Sequence, residues 1–221
     1  MFLKIGHRGA RAYETENTLE SFRKAIAMDV NAIELDVRTS RDGKLVVIHD
    51  DNLKKVFGKD VPVNEATLTE LKLFSDGKIP TLQEALDLIN GKVDKILVEV
   101  KEAGYEKKVL DVIRKEKMEE KAVVVSFHEE VLETVRKVNA KIDTGLIYAK
   151  YRDPFGAALR LRAQYLVALY RFVHAREVER AHEMNLRVVV WTINTKEEVR
   201  KYLAKGVDGI ATDRPDVFES S

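Results

Sequence analysis

Short apolar segments alternate with amphipathic stretches along this chain, and short turns separate the two kinds of segment. This alternation is typical of repeated strand–helix units that build a parallel sheet. Eight of the apolar segments are predicted to be core strands: Phe2 to Gly6, Ala32 to Val37, Lys95 to Val100, Ala122 to Ser126, Ile142 to Ile147, Tyr165 to Leu169, Arg187 to Trp191 and Gly209 to Thr212. Because eight parallel strands close a barrel, the pattern predicts an α/β fold of the (βα)8 TIM-barrel type.

Helix starts favour the same fold class. In four places a side chain that can cap a helix is followed three residues later by a carboxylate that can return the hydrogen bond. These pairs are Asn17 with Glu20, Thr81 with Glu84, Ser126 with Glu129 and Thr195 with Glu198. Four such starts between apolar segments favour an α/β fold over an all-α one.

One interval, residues 38–80, interrupts the regular rhythm between the second strand and the second helix. Within it, Arg41 to Lys44 has the composition of a hairpin turn between two short apolar strands. If these strands pair in antiparallel fashion, His49 returns beside Glu34 and Asp36 of the second strand. The pattern therefore predicts a short hairpin that carries a histidine back to two carboxylates.

The remainder of this interval, residues 51–79, contains a predicted short helix near Leu68 to Phe74 and is interpreted as a small cap over the barrel mouth. A chain of 221 residues has the length of one barrel and leaves no room for a large second domain. We therefore expect a single catalytic TIM-barrel domain over residues 1–221, with an insertion at about 38–80.

Composition narrows the function classes. The absence of cysteine removes disulfides, thiolate metal ligands and cysteine nucleophiles. A formal net charge of +1 gives no global attraction to nucleic acid or to an anionic membrane, so an anionic substrate must be recognised by a local cluster. No apolar run approaches the roughly 18 residues of a membrane span, and the first residues enter a strand rather than a signal sequence. These features predict a cytoplasmic protein with no nucleic-acid partner and no stable membrane insertion; they do not indicate an oligomeric state.

Three carboxylates end neighbouring predicted strands. Glu34 and Asp36 are two residues apart, so both side chains point to the same face of their strand, and Glu99 ends the next barrel strand along the chain. Converging carboxylates repel one another unless a cation joins them. One reading is a salt-bridge network with Lys101 and Arg8 that closes the barrel mouth. The favoured reading is a hard divalent metal, Mg²⁺, Ca²⁺ or Mn²⁺, because zinc prefers histidine or cysteine ligands.

Nine short motifs run in order through nearly the whole chain. They are His7-Arg8-Gly9, Glu16-Asn17-Thr18, Glu34-Leu35-Asp36, Asp42-Gly43 followed by Val47-Ile48-His49-Asp50, Ile79-Pro80-Thr81-Leu82, Glu99-Val100-Lys101, Ser126-Phe127, Trp191-Thr192-Ile193-Asn194 and Gly209-Ile210-Ala211-Thr212-Asp213. With these motifs the sequence resembles the glycerophosphodiester phosphodiesterase family of the PLC-like phosphodiesterase superfamily. The ordered set is far more specific than any single motif.

The resemblance implies a phosphoric diester hydrolase of lipid and glycerol metabolism. Its reaction would be the metal-dependent hydrolysis of glycerophosphodiesters to sn-glycerol 3-phosphate and an alcohol. His7 and His49 would lie on opposite sides of the phosphorus as general acid and base, since imidazole exchanges protons near neutral pH. Three points stay open: which histidine is the acid, whether water or the glycerol 2-hydroxyl attacks, and which alcohol leaves.

The resemblance also implies how a small glycerophosphodiester would be held. The residues assigned to substrate binding are Arg8, Glu16, Lys101, Phe127, Trp191 and Asn194. The two cations would hold the phosphate, and the carboxylate would keep Arg8 or His7 in place. The aromatic rings would form an apolar wall for the glycerol carbons, and the asparagine would hydrogen-bond to a hydroxyl.

Two alternatives remain beside this reading. A lysophospholipase D acting on lysophospholipids would use a similar arrangement of two histidines and a Glu-x-Asp pair. A catalytically silent barrel that binds a phosphorylated metabolite or a protein partner is the hypothesis from another class. The segment Asn52 to Lys55 departs from the family pattern, and this leaves headgroup specificity open rather than the chemistry.

Overall fold

The computed structural model describes residues 1–218 and shows a closed parallel barrel. Its strands are β1 (Leu3–His7), β2 (Ala32–Thr39), β4 (Lys95–Val100), β5 (Ala122–Ser126), β6 (Asp143–Tyr148), β7 (Tyr165–Leu169), β8 (Arg187–Trp191) and β9 (Gly209–Thr212), while β3 (Leu45–Val47) lies outside the barrel. Around the barrel the order is β1-β9-β8-β7-β6-β5-β4-β2, and β2 pairs with β1 to close it. The predicted TIM barrel is confirmed.

Helices connect the strands and cover the outside of the barrel. They are α1 (Leu19–Ala27), α2 (Lys54–Phe57), α3 (Leu68–Phe74), α4 (Leu82–Ile89), α5 (Glu106–Lys115), α6 (Glu129–Val138), α7 (Pro154–Leu161), α8 (Ala175–Glu183) and α9 (Lys196–Leu203). None of the helices within residues 1–218 is both long enough and apolar enough to cross a membrane. The outward side chains of the strands pack against these helices, and the inward ones form a separate apolar cluster in the barrel.

Strand alternation decides which side chains reach the barrel interior. Ile5, Ala32 and Leu97 belong to the interior apolar cluster. Residues two further along each strand point to the same side and lie one layer higher, because side chains alternate between the faces of a strand. The register pairs His7 with Glu34 across β1 and β2, and Asp36 with Glu99 across β2 and β4. Polar residues therefore form the layer above the apolar floor, at the carboxyl ends of the strands.

The insertion after β2 has the predicted hairpin. In the antiparallel register, Val37 faces Val47 and Thr39 faces Leu45. Ile48 continues this pairing by donating its N–H to the carbonyl of Asp36 at 3.0 Å. The helix predicted near Leu68 to Phe74 is α3, and the segment has its own small apolar cluster. The hairpin thus carries the chain back to the top of β2, and His49 follows at once.

Two of the four predicted helix starts are correct. Thr81 and Thr195 each accept a hydrogen bond from the backbone N–H three residues later. Asn17 and Ser126 are wrong, because tertiary contacts occupy their side chains. The Asn17 amide donates to Asp36, and the Ser126 hydroxyl donates to the carbonyl of Val100, so Thr18 and His128 become the residues before α1 and α6.

Candidate active site

A cavity of about 100 Å³ opens at the carboxyl ends of the barrel strands. Its polar side is lined by His7, Arg8, Glu34, His49 and Glu99, and its apolar side by Leu97, Val125, Phe127, Ile147, Val167, Val189, Trp191 and Ala211. The carboxyl end of the strands is where the TIM-barrel fold places its chemistry, because the loops after the strands converge there. The cavity therefore combines a charged wall with an apolar floor.

Three buried carboxylates meet in the polar wall. One oxygen from each of Glu34, Asp36 and Glu99 lies within 4.8 Å of the others. Glu34 Oε2 accepts the backbone N–H of Arg8 at 3.0 Å, and Glu99 Oε1 accepts from Lys101 Nζ at 2.5 Å. Asp36 Oδ1 is buried and accepts no hydrogen bond within the described residues 1–218, although Lys101 Nζ lies 3.3 Å away. The cluster therefore has a carboxylate oxygen whose hydrogen-bonding capacity is not satisfied by residues 1–218.

The pKa shifts of the three carboxyl groups indicate that the cluster has too little positive charge nearby to keep all three ionised. Burial and the neighbouring Asp36 raise the pKa of Glu99 to about 7. Burial, followed by repulsion from Asp36 and Glu99, raises the pKa of Glu34 well above its usual range. Burial also acts to raise the pKa of Asp36, but Lys101 and Arg8 outweigh it and lower the pKa to about 2. Three all-oxygen ligands that cannot easily carry three charges together fit a hard divalent cation.

His7 is held by a carboxylate from the far end of the chain. Its Nδ1 lies 2.7 Å from Asp213 Oδ1, and its Nε2 lies 3.9 Å from Glu34 Oε2. Asn194 donates to the other Asp213 oxygen at 2.9 Å. Burial acts to raise the pKa of Asp213, but His7, Asn194 and Arg11 outweigh it and lower the pKa to about 2. The ionised carboxylate accepts from Nδ1, which leaves Nε2 directed toward the carboxylate cluster.

His49 has a similar arrangement on the hairpin side. Its Nδ1 lies 2.6 Å from Asp50 Oδ1, and its backbone carbonyl accepts from Arg38 Nε at 2.8 Å. Burial lowers the pKa of His49, the cations Arg8 and Lys101 lower it further, and Asp36 opposes them. Both histidines therefore line the cavity with Nδ1 fixed by an aspartate, and neither Nε2 is hydrogen-bonded to any residue of 1–218.

Two carboxylates hold the side chain of Arg8 in place. Arg8 Nη1 lies 2.8 Å from Glu16 Oε1, and Arg8 Nε lies 3.2 Å from Asp36 Oδ2. The backbone after Arg8 turns sharply at Gly9, whose φ is +84° and where an added Cβ would lie 2.4 Å from the hydroxyl of Ser21. The glycine of the His-Arg-Gly motif thus lets the loop approach α1 closely enough to aim Arg8 at the cluster.

Most of the residues selected from the sequence converge here. Asp36 and Lys101 lie directly behind the carboxylates that line the cavity, and the rings of Phe127 and Trp191 meet edge to face at 6.0 Å. Glu16 and Asn194 do not line the cavity. Glu16 pairs with Arg8, the partner expected for it, and with Arg11, and Asn194 bonds to Thr212 and Asp213. The assignment of both residues to substrate binding stays a prediction.

Sequence reasoning missed two residues of the site. Asp213 holds His7, and Asn17 donates to Asp36 Oδ2 at 2.8 Å while accepting from the backbone N–H of Asp36. Both belong to the motifs that carried the family resemblance. Asp213 also directly follows the last barrel strand, and this position at the carboxyl end of a strand was a usable signal.

Comparisons with known proteins agree with this geometry. The sequence model of the "Glycerophosphoryl diester phosphodiesterase family" matches residues 7–217. A glycerophosphodiester phosphodiesterase of Caldanaerobacter subterraneus subsp. tengcongensis is 32% identical, and the alignment covers 98% of this chain and 96% of that protein. The crystal structure of a glycerophosphodiester phosphodiesterase from Thermotoga maritima is similar with a TM-score of 0.84 and 33% identity, covering 99% of this chain and 97% of the other. That of a putative glycerophosphoryl diester phosphodiesterase from Silicibacter pomeroyi has a TM-score of 0.89 and 28% identity, covering 98% and 91%.

Proposed function

The chain belongs to the glycerophosphoryl diester phosphodiesterase family, and we propose that it hydrolyses small glycerophosphodiesters to sn-glycerol 3-phosphate and an alcohol. The observation that carries the proposal is one cavity that holds two aspartate-bound histidines beside three buried carboxylates. A phosphodiester needs positive charge at its oxygens and proton transfer at two of them, and this arrangement supplies groups for both tasks.

Glu34, Asp36 and Glu99 are the residues that would hold a divalent cation, Mg²⁺ or Ca²⁺, with Mn²⁺ as a further candidate. When bound, such a cation supplies charge neutralisation at a nonbridging phosphate oxygen. Arg8 and Lys101 add fixed positive charge beside the same carboxylates, because both are anchored through Asp36. The chain thus supplies a positive clamp on one side of the cavity.

His7 and His49 would share the proton transfers. One Nε2 takes the proton of the attacking hydroxyl as its oxygen bonds to phosphorus, and the other gives a proton to the alkoxide as the bond from phosphorus to the leaving oxygen breaks. Two attackers fit this scheme. Water gives the products directly, whereas the glycerol 2-hydroxyl gives a cyclic phosphate that water opens in a second step.

The apolar wall would take the glycerol carbons. Trp191 is fixed by a hydrogen bond from its Nε1 to the carbonyl of Val167 at 3.1 Å, and the ring of Phe127 packs edge to face against it. A rigid pair of rings gives the substrate a flat apolar contact without ordering a flexible side chain. The same cavity has these rings and the charged side chains in its lining, so the rings would orient the glycerol relative to the phosphate.

The proposal is tested by incubating the purified protein with glycerophosphocholine and glycerophosphoethanolamine in the presence of each divalent metal. Release of sn-glycerol 3-phosphate, measured with a coupled dehydrogenase, is the expected result. Binding of these compounds without release under any of the three metals would contradict the proposal and favour the catalytically silent barrel.

The substrate preference should follow from the size of the site. The cavity is small, and the apolar residues of the insertion pack mainly among themselves, for example Leu53, Val63 and Leu71. The insertion therefore adds little apolar surface for an acyl chain, so kcat/KM for glycerophosphoethanolamine should exceed that for lysophosphatidylethanolamine at least about tenfold, a difference of about 1.4 kcal/mol. The two substrates share a headgroup, which makes the acyl chain the only variable. A tenfold preference for the lysolipid would instead identify a lysophospholipase D.

Asp213→Asn should lower kcat roughly a hundredfold or more. The neutral asparagine amide cannot stabilise a protonated His7 ring as the carboxylate does, and this impairs His7 whether it acts as the acid or as the base. Asp216→Asn is the matched control, because Asp216 lies in the same segment but bonds to Tyr13 at the surface. An Asp213→Asn enzyme with the control's kcat would show that Asp213 does not position His7.

A further inference from the structure

Exposed aromatic side chains gather on one side of the barrel mouth. Phe127, Tyr151 and Phe172 follow the neighbouring strands β5, β6 and β7, and they are 44%, 38% and 46% exposed. Single exposed aromatics are ordinary, but here three successive loops at the same end of the barrel each present one. The phenol of Tyr151 donates to Glu129 at the start of α6, so the first two loops lie against each other.

Basic side chains accompany these aromatics. Lys150 and Arg152 flank Tyr151, and Arg171 precedes Phe172, and all three cations are exposed. Among residues 1–218, no carboxylate lies within 4.0 Å of the charged nitrogens of these three side chains. We name the six residues the mouth rim: Phe127, Lys150, Tyr151, Arg152, Arg171 and Phe172.

Few acidic groups offset the charge of the mouth rim. Glu129 accepts from Tyr151 and pairs with Arg160 at 2.5 Å. Asp153 accepts the N–H of Gly156 at 3.0 Å as the cap of α7, and the charge of Glu198 acts on Arg171. Three cations beside the carboxylates of Asp153 and Glu198 leave a small local excess of positive charge in a chain whose formal net charge is only +1.

We propose that the mouth rim docks on the surface of an anionic lipid bilayer. Tyrosine favours the boundary between headgroups and acyl chains, where its apolar ring and its polar hydroxyl are both satisfied. Phenylalanine adds apolar surface that can be buried at the same boundary. Lysine and arginine beside them are attracted to anionic headgroups, and each such cation strengthens binding roughly fivefold. Charge complementarity thus selects an anionic surface over a neutral one.

Docking in this orientation turns the cavity toward the bilayer. The benefit of this orientation for substrate capture rests on the proposed function. A glycerophosphodiester arises when both acyl chains of a glycerophospholipid are hydrolysed, so a deacylating reaction at the membrane must supply the substrate. An enzyme held at that surface meets the product where it forms. Bilayer binding is measured without substrate, so failure of the docking proposal and failure of the hydrolysis proposal are separate results.

The test is co-sedimentation of the full chain with vesicles at low ionic strength. Vesicles of phosphatidylcholine mixed with phosphatidylglycerol should bind the protein, vesicles of phosphatidylcholine alone should not, and added salt should weaken the binding. Combined Lys150→Ser, Arg152→Ser and Arg171→Ser substitutions should weaken binding on the order of a hundredfold, from about fivefold per cation. Phe172→Ser should weaken it separately. Hydrolysis of glycerophosphoethanolamine in solution should not change in either variant.

The matched control is Lys201→Ser with Leu203→Ser at the end of α9. These residues present the same kind of exposed charge and apolar surface, with Leu203 44% exposed, but they lie at the opposite end of the barrel. The control should bind vesicles as the unaltered protein does. Equal binding to neutral and mixed vesicles, undiminished binding by the mouth-rim variants, or an equal loss in the control would each overturn the proposal.

Discussion

Chelation with EDTA should abolish the hydrolysis of glycerophosphodiesters by this protein, and added Mg²⁺, Ca²⁺ or Mn²⁺ should restore it. The expectation rests on Glu34, Asp36 and Glu99, whose oxygens converge within 4.8 Å, and on the buried Asp36 Oδ1, which accepts no hydrogen bond from residues 1–218. Loss of a divalent cation beside the phosphate would remove an interaction worth several kcal/mol in the transition state. Full turnover by exhaustively chelated protein would contradict this assignment.

Glu34→Gln and Asp36→Asn should each reduce kcat at least roughly a hundredfold, the scale for losing one electrostatic contact in a water-excluded site. Glu120→Gln, on the surface before β5, is the control and should keep full activity. Thermal unfolding gives a readout besides activity. Added metal should raise the Tm of the unaltered protein and of the control but not of the variants, since only a bound cation stabilises the folded state.

The same measurement separates the metal site from the salt-bridge network. Glu34 is repelled by Asp36 and Glu99 more than it is held by Arg8, so Glu34→Gln should not destabilise the metal-free protein. A network whose role is to close the barrel mouth would lose stability with the same substitution. A clearly lowered metal-free Tm in Glu34→Gln, together with unchanged turnover, would identify the carboxylates as structural.

His7→Ala and His49→Ala should each lower turnover of an alkyl glycerophosphodiester by roughly a hundredfold to ten-thousandfold. Each histidine has Nδ1 held by an aspartate and faces the same cavity, and attack and departure both require a proton to move. His182→Ala is the control, because His182 bonds to Asp208 on the surface outside the cavity. Near-normal rates in either cavity variant would show that its histidine is not catalytic.

A change of leaving group should identify the acid. A p-nitrophenyl ester of glycerol phosphate releases an anion that needs no proton, so one of the two histidine variants should recover much of its rate with this substrate. The variant that recovers lacks the general acid, and the one that does not lacks the base. Recovery by both variants or by neither would contradict a division of these roles between His7 and His49.

Local sequence determined the barrel and the direction of its polar side chains. The two-residue period of a strand is a property of the backbone, so it placed Glu34 and Asp36 on one face without any knowledge of their partners. The hairpin register that brings His49 to β2 was equally local, because turn and strand pairing lie within one short segment. Such features are readable because each depends on neighbours in the chain.

Tertiary structure decided which hydrogen-bond partners the polar side chains have. Asp213 meets His7 across a separation of 206 residues, and no local pattern encodes that contact. Asn17 and Ser126 have the chemistry of helix caps, yet buried partners bind their side chains and the helices begin elsewhere. Asn194 likewise donates to Asp213, a partner that adjoins it only in the folded barrel. A polar atom buried in a folded chain takes whichever partner satisfies it best, and that choice exists only once distant strands have come together.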